Sequence, residues 1–299
     1  MKLFKLILIA LVTLAFFGCK KDKDPDPVKE EPKLIFKFQF DSTQVRLNNF
    51  GNVSTIPSTN SAQSPVFNKM SAHYIELAPT KNTALGQGTV IYKNEETTLG
   101  GTRAIDFSKA IIKGNGEIFF SIPLKDIPKG NYEWLRVSLA YQNYDIKYKS
   151  DIYYGSGTLA SFIGYNTFIT SYNIKNQPVQ VNENKPQGFW GFETTAYGTT
   201  YTSIGQAPPG ATTVPNPIAS TSPIPAGSCV VTGEFINPQG QTVPLQLLAM
   251  TNKDIVITVS LSTNKSFEWK DANMDGWFEP AAGDTVVDMG IRGLIPFIN

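Results

Sequence analysis

Oxygen-bearing side chains are concentrated in one short segment near the C-terminus, Asp271 to Glu279. The segment reads D-x-N-x-D-G, with carboxylate or amide oxygens at its first, third and fifth positions and glycine at its sixth. Side chains with this spacing can converge on one hard cation, and glycine permits the sharp turn that follows. Calcium fits better than magnesium, because several carboxylates suit the larger ion. The predicted calcium ligands are Asp271, Asn273, Asp275, the carbonyl of Trp277, Glu279 and Asp284.

This segment resembles the first half of an EF-hand loop and differs from it in the second half. The twelfth position, normally glutamate, is Ala282, and Pro280 and Gly283 exclude a following helix. The pattern is therefore similar to the EF-hand-like loops of bacterial β-rich extracellular proteins, with Asp284 or Asp288 as the source of the remaining carboxylate. We expect a bound calcium to staple the loop and to take no part in catalysis. The alternative is an Asp/Asn/Gly turn without metal.

A second candidate site is aromatic. Trp190 lies in the sequence G-F-W-G-F, and Tyr197 and Tyr201 follow near the start of an uncharged stretch, residues 194–233. Aromatic side chains combine a large apolar face with, in tyrosine and tryptophan, a polar tip. These three residues are therefore candidate ligand contacts, and the alternative places Trp190 in the core. Ala207–Gly227 contains six prolines, which excludes a central strand and predicts a long surface loop.

Motifs of the common enzyme classes are absent from the sequence. His73 is the only histidine, which excludes a multi-histidine zinc or copper site within one chain. It is interpreted as a structural residue. The motifs G-x-S-x-G, H-E-x-x-H, the P-loop and G-x-G-x-x-G are also missing. A pair of carboxylates could still form a glycoside hydrolase, and the candidates beside predicted strands are Asp151, Glu193, Glu234 and Glu268. The leading prediction is a non-catalytic protein.

The N-terminus carries an export signal. Lys2 and Lys5 precede the 12-residue apolar run Leu6 to Phe17, which is too short to span a bilayer and has the proportions of a signal-peptide core. The run ends in F-F-G-C, with Cys19 last, which resembles the lipobox of bacterial lipoproteins. The resemblance implies removal of residues 1–18, a lipid on Cys19, and anchoring at the outer membrane in either leaflet. The alternative is an ordinary signal peptide with an incidental cysteine.

Residues 19–33 are predicted to be a disordered tether, because lysines, acids and prolines dominate them and cannot bury enough apolar surface. An acylated Cys19 leaves Cys229 as the only other cysteine, so no disulfide forms within the mature chain. We expect Cys229 to be a small buried hydrophobe. Over the whole chain, 26 Lys+Arg oppose 25 Asp+Glu, which argues against a nucleic-acid partner.

Residues 34–299 are predicted to form an all-β body. Phe36, Phe38 and Phe40 alternate with polar residues, the period of a half-buried strand. Similar runs, rich in β-branched and aromatic residues and separated by turn residues, are 72–78, 116–122, 132–141, 147–154, 159–172, 189–193, 229–237, 242–249 and 255–262. Many short strands favour an antiparallel β-sandwich, either one extended sandwich or two divided near residues 145–151.

Two segments resemble the MbnP-like β-sandwich family. They are residues 69–77 (KMSAHYIEL) and the P-x-G-x-Y turn at Pro128, Gly130 and Tyr132, within a resemblance that covers residues 34–150. The resemblance implies a sandwich and a copper-handling role that depends on histidine. Because His73 is the only histidine, we expect the sandwich fold that the resemblance implies but not the copper site. The leading prediction is a binding lipoprotein whose partner is a glycan or an outer-membrane protein; copper handling is the alternative.

Overall fold

The structure is a computed structural model that describes residues 31–48, 50–207, 220–248 and 251–299. Glu31–Asn299 forms one compact unit. The predicted signal peptide, Cys19 and the predicted tether up to residue 30 lie outside the described residues, as do residues 208–219 of the predicted proline-rich loop. No helix among the described residues has the length and apolar character needed to cross a bilayer.

The described part of the chain is all-β, as predicted. Its strands are β1 (Lys33–Asp41), β2 (Asn60–Gln63), β3 (Val66–Ala78), β4 (Thr89–Lys93), β5 (Glu96–Thr97), β6 (Ala104–Asp106), β7 (Ile118–Pro123), β8 (Gly130–Tyr132), β9 (Trp134–Ser150), β10 (Tyr153–Phe162), β11 (Asn166–Asn173), β12 (Pro178–Pro186), β13 (Phe189–Ala196), β14 (Thr199–Gln206), β15 (Cys229–Glu234), β16 (Leu245–Leu247), β17 (Ile255–Ser262), β18 (Phe267–Lys270), β19 (Thr285–Met289) and β20 (Leu294–Ile298). Three short 3-10 helices lie between them, at Phe107–Lys109, Leu124–Asp126 and Pro280–Ala282.

The largest sheet is built around β9, which is 17 residues long. Its strand order is β14-β13-β10-β9-β3-β4, and β15 also pairs with β9. One edge of β9 pairs with β3, while β10 and β15 share the other edge, all antiparallel. A strand this long therefore holds three partners in one curled sheet.

A four-stranded sheet, β20-β17-β1-β7, forms the second layer of the sandwich. Phe36 and Phe38 of β1 are fully buried, as predicted, and so is Leu34, whereas Phe40 is only partly buried against the same core. They belong to one hydrophobic cluster with Ile75 and Val137 of the large sheet. Each buried aromatic or aliphatic side chain of this kind contributes roughly 1.5–3 kcal/mol. The pairing is mostly antiparallel, but β1–β17 and β6–β11 are parallel.

The large sheet is covered on its other face as well. A four-stranded sheet of order β12-β11-β6-β5 packs there through a second cluster that includes Tyr141, Phe162, Ile169, Tyr172 and Phe189. Two smaller sheets, β16-β8 and β19-β18-β2, complete the described architecture. The central strands are therefore buried on both faces, whereas the strands at the sheet ends are only half covered.

Two predicted strands are divided by turns. The run 147–154 contains the β9–β10 hairpin, in which Asp151 has a φ of 55° and Ser150 pairs with Tyr153. The run 159–172 breaks between β10 and β11. In the second run Ile163 and Tyr165 continue the apolar pattern through the break, and in the first the apolar Ile152 lies in the turn beside Asp151, so that hydrophobicity alone does not mark either turn. The strands β12 and β14 carry mostly exposed polar residues, which explains why no apolar pattern predicts them.

Candidate functional site

An apolar cavity of about 630 Å³ lies between the large sheet and the three-stranded sheet β19-β18-β2. Its floor on the large sheet consists of Ile146, Tyr148, Leu159, Trp190 and Phe192. The opposite wall includes Phe267, Phe278, Pro280, Val286 and Met289. The exposed Ser203 also lines the cavity, which therefore reaches the protein surface.

The strand register places the floor on one face of the sheet. Leu159 lies opposite Tyr144 on one side and opposite Phe192 on the other. Directly paired residues, and residues two positions further along a strand, share a face. The same face therefore carries Ile146 on β9 and Trp190 on β13, while the residues between them point to the second cluster.

Glycines on this face leave room for the aromatic rings. A Cβ atom on Gly157 would lie 2.3 Å from Cζ of Phe192, and one on Gly205 would lie 2.4 Å from Cζ2 of Trp190. Neither distance is sterically possible, so these rings lie against the backbone only because both positions are glycine. Trp190 is half-buried, packs against the main core and lines the cavity at the same time.

The other two predicted ligand contacts lie beyond the floor. Tyr201 pairs with Thr194 and is 54% exposed, and the register puts it on the floor face, two residues from Ser203. Tyr197 is 82% exposed in the β13–β14 turn, and its ring centroid lies 5.1 Å from that of Tyr153. The structure thus places Trp190 and Tyr201 on a common face and Tyr197 at the end of the hairpin.

The D-x-N-x-D-G segment connects β18 to β19 and so joins two strands of the cavity wall. Its first aspartate, Asp271, accepts a 2.8 Å hydrogen bond from the amide of Gly276. Asp284 accepts with both oxygens, from the amides of Ala272 at 2.9 Å and Glu279 at 2.7 Å. These bonds close the segment into a compact loop, which we call the acidic loop (residues 271–284).

A lysine from the large sheet lies among the carboxylates of the acidic loop. Nζ of Lys149 is 2.7 Å from Oδ2 of Asp275 and 2.9 Å from Oε2 of Glu279. The side-chain amide of Asn273 donates to the same oxygen of Glu279 at 2.9 Å. The Lys149 ammonium holds the pKa of Asp275 below its usual value. The backbone amide of Lys149 also donates to the carbonyl of Phe278 at 2.9 Å, which ties the loop to the end of β9.

The predicted calcium ligands are gathered in one loop, but their oxygens accept from several donors. Among the residues that the structure describes, no group of three or more His, Cys, Asp or Glu side chains is arranged to hold a metal ion. Two features nevertheless suit a cation. Oδ1 of Asp271 is buried without a hydrogen-bond partner. Asp275 and Glu279 already share one positive charge, that of Lys149.

Asp288, the alternative source of the remaining carboxylate, is bound elsewhere. One of its oxygens lies 2.5 Å from a guanidinium nitrogen of Arg292, and the other accepts from the amide of Gly290 at 2.9 Å. Burial raises the pKa of Asp288 to about 6, although Arg292 opposes the shift. Of the two candidates, Asp284 is the one that lies within the acidic loop.

The four carboxylates considered for glycoside hydrolysis lie on separate elements, namely the β9–β10 turn (Asp151), β13 (Glu193), β15 (Glu234) and β18 (Glu268). Oε2 of Glu193 accepts from three successive backbone amides, residues 175–177, at 2.8 to 3.0 Å. Glu268 accepts from Arg46 at 2.7 Å and from Asn60 at 2.6 Å. Both buried carboxylates therefore hold neighbouring segments in place.

His73 lies in a closed ion-pair network. It is fully buried, and its Nε2 is 3.1 Å from Oε1 of Glu96. Burial lowers the pKa of His73, and the carboxylate oxygen of Glu96 accepts the hydrogen bond from its Nε2. Glu96 also pairs with Arg103 at 2.8 Å and with Lys93 at 2.9 Å. Burial alone would raise the pKa of Glu96, but these hydrogen bonds outweigh burial and hold it well below its ordinary value.

Three residues that define the cavity escape the sequence patterns. Tyr148 and Lys149 lie inside a run that reads as a single strand, and Phe278 lies between the predicted ligands Trp277 and Glu279 without being one of them. For Tyr148, a signal is present in the sequence: Tyr144, Ile146 and Tyr148 recur at every second position, which predicts that they share one face of a strand. Nothing in the sequence distinguishes Lys149 from the other lysines.

Comparisons of the chain with protein-family models, with curated proteins and with solved structures find no match. The cavity, the acidic loop and the lipobox-like sequence that ends at Cys19 are therefore the features that bear on function.

The Glu96 network predicts a pH-dependent loss of stability. Because the folded pKa of Glu96 lies below its ordinary value of 4.5, the ionised group stabilises the fold above that pH, and this contribution is lost as the pH falls. We expect Glu96→Gln to lower the free energy of unfolding by about 2 kcal/mol at pH 7, and by progressively less below pH 4.5. Urea unfolding of the wild type and the variant, from pH 7 to below pH 4.5, measures this difference in the free energy of unfolding. The exposed neighbour variant Glu95→Gln is the control, and equal effects of the two variants would contradict the prediction.

Proposed function

We propose that this protein is a non-catalytic, ligand-binding lipoprotein of the outer membrane, whose ligand occupies the cavity above Trp190. The cavity carries the proposal. Its volume of about 630 Å³ falls within the roughly 300–1,000 Å³ that is usual for small-molecule sites. Protein interiors are otherwise close-packed, with few voids larger than one water molecule. An opening of this size, lined by aromatic rings and reaching the surface, supports a binding role.

The composition of the lining supports binding over catalysis. Most of the lining residues are apolar, and the charged ones are Lys149 and Asp284. Lys149 is already paired with two carboxylates, and both oxygens of Asp284 accept from backbone amides. Groups held in this way shape the site, whereas a general acid or base needs an open path to the proton it transfers.

The membrane part of the proposal rests on the sequence. A short apolar run that ends at Cys19 is followed by a charged, proline-containing tether and then by a folded unit that begins at Glu31. A lipid on Cys19 would keep this unit close to the membrane, within reach of a membrane-derived ligand or an outer-membrane protein partner.

Lipidation makes a direct prediction. Replacement Cys19→Ser removes the thiol that would receive the lipid. Expressed in a Gram-negative host, the wild-type chain should be found in the membrane fraction and incorporate radiolabelled palmitate, whereas the variant should do neither. Cys229→Ser is the matched control, because Cys229 is buried in the folded unit and should leave labelling unchanged. Palmitate incorporation by the Cys19→Ser variant would exclude this anchor.

The cavity makes a second prediction, which needs no knowledge of the natural ligand. We expect the chain from Lys20 to Asn299, which retains the whole compact unit, to bind the neutral dye N-phenyl-1-naphthylamine with one-to-one stoichiometry. Ser203→Trp fills the cavity mouth and should weaken binding at least about 10-fold, which corresponds to about 1.4 kcal/mol.

The matched control is Thr202→Trp. Thr202 is the exposed neighbour on the same strand, pairs with Glu193 and points to the opposite face. Because this side chain points away from the cavity, the Thr202→Trp variant should leave dye affinity within about twofold of the wild type, far less than the tenfold change that corresponds to about 1.4 kcal/mol. Equal weakening of dye binding by both tryptophan variants, or no dye binding at all, would contradict the proposal that the cavity is a binding site.

We further propose that calcium stabilises the acidic loop by replacing the Lys149 ammonium between Asp275 and Glu279. At 100 times its dissociation constant, calcium should add about 2.7 kcal/mol and raise the melting temperature by roughly 5–10 °C. Asp275→Ala should abolish the shift, and Lys149→Ala should enlarge it, because the variant lacks the competing internal cation.

Thermal melts in calcium and in chelator test this, with the exposed acid Asp126→Ala as control. If the wild type and Lys149→Ala each melt at the same temperature in calcium as in chelator, calcium does not stabilise the loop.

A further inference from the structure

We propose that the ligand of this cavity has an apolar body and a positively charged end, as in a long-chain amine. This inference rests on the proposed function and adds the chemical class of the ligand. It follows from three features of the cavity, namely its few available polar groups, the charge beside it and its aromatic floor.

The cavity offers few free hydrogen-bonding groups apart from the hydroxyls of Ser150, Ser203 and Thr285, which are exposed residues. The hydroxyl of Tyr148 lies 3.1 Å from Oγ1 of Thr194, and both oxygens of Asp284 are bound to backbone amides. A sugar carries a hydroxyl group on most of its carbons, and each one buried without a partner would weaken binding. A hydrocarbon has no such requirement and gains from every unit of apolar surface it buries. The body of the ligand is therefore apolar, and a glycan is the less favoured occupant.

The charge beside the cavity is negative. Lys149 is the one cationic residue of the lining, and it is shared between the carboxylates of Asp275 and Glu279. Asp284 adds a third carboxylate. Without calcium in the acidic loop, these four groups carry a net charge of −2, so this end of the cavity attracts a cation and repels an anion.

Aromatic rings beside these acids already hold an ammonium group. Nζ of Lys149 lies 6.0 Å from the ring centroid of Tyr154, which packs edge-to-face on Trp277 at 4.7 Å. Within the cavity, Trp190 presents an indole ring, the side chain with the strongest attraction for a cation. Ring faces and carboxylates thus act in the same direction on a positively charged ligand end.

The experiment compares three probes with one chain length and different ends: decylamine, decanol and decanoate, each below its micelle concentration. Isothermal titration calorimetry of the chain from Lys20 to Asn299, at pH 7 and in chelator so that no calcium occupies the acidic loop, gives their affinities. We expect decylamine to bind about 5- to 10-fold more tightly than decanol, and decanoate to bind most weakly. Ser203→Trp should weaken all three, and Thr202→Trp none.

Glu279→Gln isolates the contribution of charge. The variant keeps the size of the side chain and removes one negative charge from beside the cavity. It should reduce the ratio of decylamine to decanol affinity severalfold, whereas the exposed, distant Glu234→Gln should leave this ratio unchanged. Should Glu279→Gln not fold, Asp275→Asn at the exposed side of the same pair provides the same comparison.

The outcomes separate this inference from the proposed function. Equal affinity for decylamine and decanol, or tighter binding of decanoate, overturns the charged end while the cavity remains a binding site. Binding of a chito- or malto-oligosaccharide that Ser203→Trp abolishes, with no binding of the alkyl probes, overturns the apolar body and leaves the proposed function intact. Binding of the alkyl probes that is insensitive to Ser203→Trp, or no binding of either the alkyl probes or the oligosaccharides, overturns both.

Discussion

The hydrogen-bonded pairing of β9 with three strands is the constraint on which the rest of the molecule depends. β3 pairs along one edge of β9, and β10 and β15 divide the other edge, so one strand sets the register of the whole large sheet. Alternate side chains of β9 then enter the core shared with β1 or the cluster below β11 and β12. The last residues of β9 extend beyond β3, and there Lys149 and its amide bind the acidic loop.

The class of fold could be predicted from local patterns, whereas the cavity could not. The alternation of Leu34, Phe36 and Phe38 marks a buried strand without reference to any other part of the chain. The cavity requires that residues near 148, 190 and 280 come together, and this depends on which strands pair and in what register. Strands without apolar residues, such as β14, leave no periodic signal, and turns within apolar runs are hidden.

The candidate site, too, has features that local sequence patterns predict and features that depend on which strands pair. Asp271, Asn273 and Asp275 of the D-x-N-x-D-G pattern, and Glu279 after it, lie in one loop because they are close in sequence. The pattern does not indicate that the loop spans two strands of a cavity wall, nor that a lysine from another sheet enters it. Trp190 lies in a segment that is recognisable by its glycines and aromatic residues, but the ring rests on Gly205 of the next strand.

The parallel pair β1–β17 has a consequence for how the chain matures. Leu34 pairs with Ile255, and the pairing continues to Asp41 and Ser262, so the first strand of the unit bonds to a strand more than 200 residues later. Contacts this distant in sequence form slowly and late. During synthesis, the N-terminal strand has no partner on that edge until β17 has emerged. In a chain exported as we propose, the sandwich would therefore close only after β17 has crossed the membrane, and the chain would stay open while it is threaded.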